Sequence, residues 1–209
     1  MEDKRREGRT FEIREDSLTG SDNHPVINVS WHDAQAYCNW LNEQIMTGRV
    51  VVDASIGKHI HSGQWRIMLL SELEWEKAAR GQQPNTIFSW GNTPDPNRAN
   101  YDATKINGTS SVGCFAPNDF GCYDLLGNVL EWTRSQYQPY PYRADDGRES
   151  PNGERYAVRG GSWSLYVRHA RCACRYGNTP GNRNYNLGVR IVVSPISSLT
   201  PLGPVASGR

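Results

Sequence analysis

The segment from residue 82 to residue 120 shows no helical or alternating hydrophobic period over more than a few residues. It is rich in Pro, Asn, Gly and Asp, which favour turns and loops. Irregular segments of this length are uncommon in compact domains, where they are either functional or part of the architecture. We expect the second, so the chain needs a fold in which ordered irregular segments make up much of the structure.

The length of 209 residues is sufficient for one domain with a hydrophobic core. Seven Trp and ten Tyr provide large side chains for this core. The sequence predicts one domain over residues 24–194. We expect a charged, aperiodic arm or linker at 1–23 and a flexible tail at 195–209, which is rich in Ser, Pro and Gly.

The charge balance and the cysteine content argue against several classes of protein. With 23 basic and 22 acidic residues the net charge is +1, so we expect no nucleic-acid partner and no attraction to an anionic membrane. No apolar run approaches the ~20 residues of a membrane span, and the charged N-terminus is unlike a secretion signal. Five cysteines, an odd number, cannot all be paired within the chain.

Two main helices are predicted from their end signals. Ser30 is followed three residues later by Asp33, a capping-box arrangement that predicts a helix beginning after Ser30. Ser71 and Glu74 form the same arrangement before a second helix of about ten residues. Gly81 is placed for a left-handed turn at the end of that helix.

Short runs of apolar and β-branched residues predict the strands. They cover residues 26–29, 64–69, 129–133, 156–163 and 187–193, and the last of them reads as a single final strand. The sequence contains no internal repeat.

Six motifs occur in an order and spacing that are specific when taken together. They lie at residues 25–38, 73–81, 88–92, 117–133, 159–163 and 187–190. Over residues 24–193 the chain thereby resembles the formylglycine-generating enzyme / sulfatase-modifying-factor family. This resemblance implies an α+β fold of the C-type lectin-like kind, with a small twisted antiparallel sheet, two main helices and extensive irregular loops.

Most residues of these motifs are interpreted as structural. Large rings usually contribute to cores, and the glycines of such motifs are best explained as backbone positions that a side chain would obstruct. The rings assigned to the core are Trp31, Trp75, Trp90, Trp132 and Trp163, and the obstructed positions are Gly127, Gly160, Gly161 and Gly188.

The resemblance also implies a candidate structural calcium site. In relatives of this fold, oxygen atoms around the corresponding Gly-Asn turn can hold a calcium ion. Asn128 and Glu131 offer an amide oxygen and a carboxylate, which are ligands that calcium prefers. No cofactor is expected to be required for function.

Catalytic members of the family oxidise a substrate cysteine with copper held by two cysteines, which closely follow the Gly-Gly-Ser-aromatic motif. Residues 164–170 of this chain contain no cysteine. Cys172 and Cys174 lie further along, and on an extended segment they would point to opposite sides. The resemblance therefore implies a protein that is not an enzyme, with a copper-dependent oxidase or an inactive interaction subunit as the alternatives.

The iron-dependent branch of the superfamily uses three histidines, and their HxxxExH-like spacing does not occur here. His59 and His61 would share one side of a strand and could bind a metal, although an exposed basic loop is the simpler interpretation. The sequence also lacks the nucleophile elbow of hydrolases.

The segment 164–186 has an unusual composition. It contains no Lys, Glu, Gln, Met or Trp and is crowded with Asn, Tyr, Ser and Gly. Tyr gives rigid contact area at low entropic cost, while Ser, Gly and Asn supply adaptable hydrogen bonds, as in antibody binding loops. The missing residues are those whose codons do not end in a pyrimidine.

This pattern resembles the variable proteins of diversity-generating retroelements, in which adenines of asparagine-type codons are randomised. The resemblance implies a protein that binds a protein or cell-surface ligand through a diversified surface, on a phage particle or a cell, with the arm at 1–23 available for fusion or oligomerisation. The positions that fit as variable are Ser164, Leu165, Tyr166, His169, Cys174, Tyr176, Gly177, Asn178, Asn182, Asn184, Tyr185 and Asn186.

The remaining residues of the segment fit as a fixed framework. The hypothesis assigns Arg168, Arg171, Arg175 and Arg183 to hold the backbone from beneath by hydrogen bonds and salt bridges. Tyr166, Tyr176 and Tyr185 are expected to be the main contact residues for the ligand. Val189 departs from the family pattern, in which a Phe is usual.

Overall fold

The computed structural model describes residues 21–143 and 145–196, and it contains three helices within them. The predicted arm at 1–23 and tail at 195–209 lie almost entirely outside the described residues. The helices are α1 (Trp31–Met46), α2 (Ala54–His61) and α3 (Glu72–Arg80). None of these three is long and apolar enough to cross a membrane.

The end signals of α1 and α3 are confirmed. The Ser30 side chain accepts a hydrogen bond from the Asp33 amide, and the Asp33 carboxylate accepts one from the Ser30 amide. Ser71 and Glu74 form the same reciprocal pair at α3. Gly81 ends α3 with a φ of 62°, a conformation that favours glycine.

A third, shorter helix, α2, forms in addition to the two main helices that were predicted. Asp53 caps it by accepting from the Ser55 amide. With eight residues, two of them buried at Gly57 and Ile60, it is too short to show a clear helical period. His59 and His61 lie on this helix and not on a strand or loop.

In the part of the chain that the structure describes, the strands form two sheets. The strands are β1 (Trp65–Leu69), β2 (Leu130–Gln136), β3 (Tyr156–Arg159), β4 (Arg175–Asn178), β5 (Leu187–Val189) and β6 (Ile191–Pro195). β1 and β6 make an antiparallel pair, and the larger sheet has the order β4-β3-β2-β5. The pairing is antiparallel as predicted, with one exception: β2 and β5 run parallel.

Two predicted strands differ from the structure. The run 187–193 divides at Arg190 into β5 and β6, which belong to different sheets. Residues 26–29 are not a strand. There the Asn28 amide donates to the Asn184 carbonyl, and the Val29 carbonyl accepts from the Trp132 indole. These contacts with distant residues take the place of hydrogen bonds to a neighbouring strand.

The core consists of two clusters of buried side chains. One lies between α1 and the sheets and contains Trp31 and Trp132. The other contains Trp75, a residue of α3. Trp31, Trp75 and Trp132 are thus confirmed as core residues, whereas Trp90 and Trp163 are only partly buried.

The irregular segment 82–120 is confirmed, with one 3-10 turn at Asp102–Thr104 and a single bridge between Phe88 and Gly91. Side-chain amides replace regular hydrogen bonding there. The Asn100 amide donates to the Gly108 carbonyl, and a second amide, that of Asn118, donates to the Ala78 carbonyl.

Candidate ligand-binding surface

The segment 164–186 leaves β3, crosses the surface and returns at β5. It contains a 3-10 turn at Val167–His169 and β4, an edge strand that the sequence interpretation did not predict. Antiparallel pairing places Tyr176 opposite Val158 and Gly177 opposite Ala157. Alternate residues of β4 consequently face opposite sides of the sheet.

The structure places most of the twelve predicted variable positions at the surface. Tyr166 and Tyr185 are 60% and 53% exposed. Asn182 and Asn184 are exposed as well, and Asn186 is buried. The positions that are partly exposed are Ser164, Leu165, His169, Cys174, Tyr176, Gly177 and Asn178.

Asn186 does not belong to the exposed surface. Its side chain is only 7% exposed, and its amide donates to the hydroxyls of Ser162 and Ser164 at 3.1 and 3.0 Å. Its carbonyl accepts from the Leu130 amide. Asn186 therefore joins the two ends of the segment from beneath, a role that composition alone does not reveal.

Gly177 is restricted by a neighbour that lies outside the segment. A Cβ atom at this position would lie 2.6 Å from the ring of Tyr137. The guanidinium groups of Arg175 and Arg155 lie 4.4 and 5.5 Å from the centre of that ring. Substitution of Gly177 thus requires Tyr137 to move, and the position is not freely variable.

Tyr176 is only partly available to a ligand, because its ring packs against the core cluster of α1. Its hydroxyl is hydrogen-bonded to His169 Nδ1, and the Cys174 thiol donates to it at 3.6 Å. Burial, and then the Cys174 contact, raises the pKa of Tyr176 well above its ordinary value. Tyr166 and Tyr185 are the more accessible contact residues.

The surroundings of His169 favour its neutral form. Its Nε2 faces the Nε–H of Arg168 at 3.1 Å, and because an arginine can only donate, Nε2 must accept. The imidazole proton is then on Nδ1, from which it is donated to Tyr176. Burial, followed by the charges of Arg168 and Arg171, lowers the pKa of His169.

Two framework arginines have the supporting role that was predicted. Arg175 makes two hydrogen bonds to the carboxylate of Glu72, which is 1% exposed. Arg183 makes two to Asp33, both at 2.9 Å. Burial raises the pKa of Asp33, but hydrogen bonds from Ser30 and Arg183 outweigh it and the net shift is downward.

These two ion pairs connect the segment to α3 and to the start of α1. The partners Glu72 and Asp33 are distant in sequence, and sequence interpretation missed this part of the site. The only available signal was the capping motif itself, since Asp33 serves both the cap and Arg183.

The other two framework arginines are not beneath the surface. Arg168 and Arg171 are exposed, which corrects their predicted position. The guanidinium of Arg168 lies 5.0 Å from the centre of the Tyr166 ring, and the Arg171 Nε donates to the Arg168 carbonyl at 2.8 Å.

The two candidate calcium ligands already have protein partners. The Asn128 amide group exchanges hydrogen bonds with the backbone of Ser110. Both carboxylate oxygens of Glu131 accept from Arg190, and one also accepts from the Trp75 indole at 2.7 Å. Arg190 and Trp75 therefore compete with calcium for the Glu131 carboxylate, and no group of three His, Cys, Asp or Glu suited to a metal occurs within 21–143 and 145–196.

We therefore expect calcium to leave the stability of the domain unchanged. The melting temperature should agree within about 1 °C in EDTA and in millimolar CaCl2, because a ligand stabilises only the state that binds it. Differential scanning fluorimetry measures this, with MgCl2 as the control for ionic strength. A calcium-specific rise of several degrees would contradict the assignment of Glu131 to Arg190.

The two cysteines of the segment, Cys172 and Cys174, differ in burial. Cys172 is fully buried in the cluster of Trp75, and burial raises its pKa. Cys174 is partly exposed beside Tyr176. Cys172 lies in a turn before β4 and not on an extended segment, so the difference between the two environments comes from this turn and not from strand alternation.

The scaffold has relatives among known proteins. The family model of the sulfatase-modifying factor enzyme 1-like domain matches residues 2–195. The chain is 35% identical over 182 residues to the inactive C-alpha-formylglycine-generating enzyme 2 of Bos taurus, covering 79% of this chain and 49% of that protein. It is 30% identical over 192 residues to the formylglycine-generating enzyme of Mus musculus, covering 83% and 45%. The chain thus spans about half the length of the curated relatives it matches.

A solved structure shares the fold over most of its length. The variable protein 1 of Treponema denticola superposes with a TM-score of 0.66 at 26% identity, covering 81% of this chain and 70% of that one. The relationship inferred from the motifs and the C-type lectin-like fold are confirmed by these matches. The family model matches nearly all of the described residues, and the capping boxes predicted from the sequence are present in the structure. The chain therefore belongs to the family of sulfatase-modifying factor enzyme 1-like domains.

Proposed function

We propose that this protein is a ligand-binding variable protein of the retroelement type, which displays a diversified surface over residues 164–186. The observation that carries the proposal is the contrast within this segment. Tyr166, Asn182, Asn184 and Tyr185 are exposed, whereas the supporting Arg175 and Arg183 are ion-paired. The similarity to a variable protein of Treponema denticola supports the same function.

The proposed diversification requires that exposed side chains can change without unfolding the domain. Exposed side chains that contact little else can change with small effects on stability, generally within ±0.5 kcal/mol each. The buried groups below them preserve the backbone, so a new set of side chains is presented in the same geometry. Exposed tyrosines then supply most of the contact energy, and neighbouring asparagines supply hydrogen bonds.

The genomic locus tests the proposal directly. A near-copy of the coding segment for residues 164–186 should lie close to the gene, with differences confined to adenines of the template, beside a reverse transcriptase gene. A locus with neither element would remove diversification from the proposal.

Tolerance to substitution provides a second test. A variant with Tyr166, Asn182, Asn184 and Tyr185 all replaced by Ser should lose less than about 2 kcal/mol of unfolding free energy, because each site is exposed. The matched variant Asn186→Ala, in the same segment, should alone lose about 1–3 kcal/mol, because it leaves the buried Ser162 hydroxyl and the partly exposed Ser164 hydroxyl without their donor.

Urea denaturation monitored by tryptophan fluorescence measures both changes. If the fourfold variant loses more stability than Asn186→Ala, the surface is part of the folded structure and the proposed division between variable and supporting residues is wrong.

An interaction subunit without diversification is the second candidate. It is favoured by the 35% identity to a relative that is named inactive. This candidate predicts an intact gene without a template copy and a fixed partner. Stoichiometric Cu(I) binding with conversion of a cysteine peptide would contradict both candidates in favour of an oxidase, and the absence of cysteine from residues 164–170 leads us to expect neither result.

A further inference from the structure

Arg168 and Arg171 are both oriented by their Nε atoms. The Nε of Arg168 donates to His169 and the Nε of Arg171 donates to the Arg168 carbonyl. Within 21–143 and 145–196, the terminal amino groups of these two guanidiniums have no hydrogen-bond acceptor. Since Nε is occupied in both residues, the two terminal amino groups of each guanidinium remain to bind a carboxylate end-on with two parallel hydrogen bonds.

The charge of the two arginines is not balanced locally. Residues 164–186 hold four Arg and no Asp or Glu, and Arg175 and Arg183 are the two that pair with acidic residues elsewhere. Asp102, whose amide contacts the Leu165 carbonyl, is itself paired with Lys105 at 3.3 Å. The exposed part of the surface around Tyr166 is therefore positive, although the whole chain is nearly neutral.

Orientation matters for the affinity of such groups. An exposed arginine normally loses side-chain freedom when it binds, and a side chain that is already held loses less. The Tyr166 ring lies beside the Arg168 guanidinium, where it restricts that side chain further and offers an apolar surface next to the charge.

We propose that Arg168 and Arg171 form a constant carboxylate-binding pair within the binding surface, so that the partners of this protein present acidic protein surfaces. The neighbouring variable positions select among acidic partners, and the two arginines contribute attraction that does not change with diversification. Their assignment to the fixed framework and their exposure are thereby explained together. The inference rests on the proposed binding function.

The test uses the full-length chain and poly-L-glutamate as the probe. The variants are Arg168→Gln, Arg171→Gln and the protein that carries both substitutions. Biolayer interferometry at low salt should show that each substitution reduces the affinity for poly-L-glutamate by about tenfold, the effect typical of hydrogen bonds between charged groups. The control combines Arg49→Gln and Lys58→Gln, which remove the same charge at exposed sites elsewhere and should leave the affinity nearly unchanged. The melting temperature should be unchanged in the arginine variants and in the control, so that a loss of affinity cannot be attributed to unfolding.

Three outcomes would overturn the inference. Equal affinity of the unmodified protein and a variant that carries both Arg168→Gln and Arg171→Gln would show that the pair does not bind carboxylates. Equal loss in the control variant would show a general charge effect. Tighter binding of heparin than of poly-L-glutamate, with the same dependence on Arg168 and Arg171, would assign the site to an anionic glycan. Any of these leaves the genomic test of the proposed function intact, and a locus without a template copy would leave the poly-L-glutamate result intact.

Discussion

Replacing Gly127 with Ala is expected to reduce the unfolding free energy by about 3–5 kcal/mol, which is a large part of the stability of a typical domain. Gly127 has a φ of +82°, and an added Cβ would lie 2.2 Å from the carbonyl oxygen of Asn100. That oxygen is backbone and accepts the Asn128 amide at 2.7 Å, so it cannot move away without breaking a buried hydrogen bond. Overpacking and a positive φ each cost about 1–3 kcal/mol.

The matched control is Gly181→Ala. Gly181 is exposed, a Cβ added there would have no atom within 4 Å, and its φ is not in the left-handed region. Urea denaturation should show a change within about 0.5 kcal/mol for this variant. A Gly127→Ala protein as stable as the control would show that the turn at Gly127 and Asn128 is not tightly packed.

Replacing Glu72 with Ala is expected to reduce the unfolding free energy by about 3–5 kcal/mol, the cost of breaking a buried ion pair from one side. Glu72 accepts two hydrogen bonds from Arg175 and lies 3.4 Å from Arg159, which is fully buried. Arg159 keeps Glu76 at 2.6 Å, so the larger loss is at Arg175, whose charge would remain partly buried without its partner.

This variant also has a local effect that a general loss of stability would not produce. Arg175 begins β4, so hydrogen exchange at Arg175–Asn178 should become faster than exchange in α1 under native conditions. Glu43→Ala, an exposed residue of α1, is the control and should change stability by less than about 0.5 kcal/mol. Uniform exchange in β4 and α1 would contradict the role of Glu72 in holding the binding segment.

Local signals predicted much of the fold correctly. The capping boxes at Ser30 and Ser71 depend on residues three positions apart, so they can be recognised without the rest of the chain. The glycines at 127, 160, 161 and 188 were correctly interpreted as obstructed, since added Cβ atoms there would lie within 3.0 Å of other atoms. The helix α2 was missed because eight residues provide little periodicity.

The sheets were less predictable, because pairing joins residues that are far apart in sequence. Nothing near Arg190 indicates that the run 187–193 crosses from one sheet to the other, or that β5 pairs parallel to β2. The pairing of β4 with β3 also depends on contacts outside the segment, which include Tyr137 over Gly177 and the Glu72 carboxylate on Arg175.

At the candidate site, composition identified the segment but not the position of each side chain within it. Tyr166 and Tyr185 are exposed as expected, whereas Asn186 is buried and Arg168 and Arg171 are exposed. Asn182 and Asn186 are chemically identical, and their opposite environments follow from which of them reaches Ser162 and Ser164. Residue types along the chain do not reveal that distance.

The sequence by itself determined the family scaffold, the two capped helices, the long irregular segment and the stretch that is proposed to bind ligand. These depend on residue types at short, fixed spacings, where local hydrogen bonding and backbone conformation are decided. Only the tertiary structure decided which residues of that stretch reach solvent and which support it. Burial and ion pairing are set by groups brought together from distant parts of the chain, as Asp33 meets Arg183 and Glu72 meets Arg175.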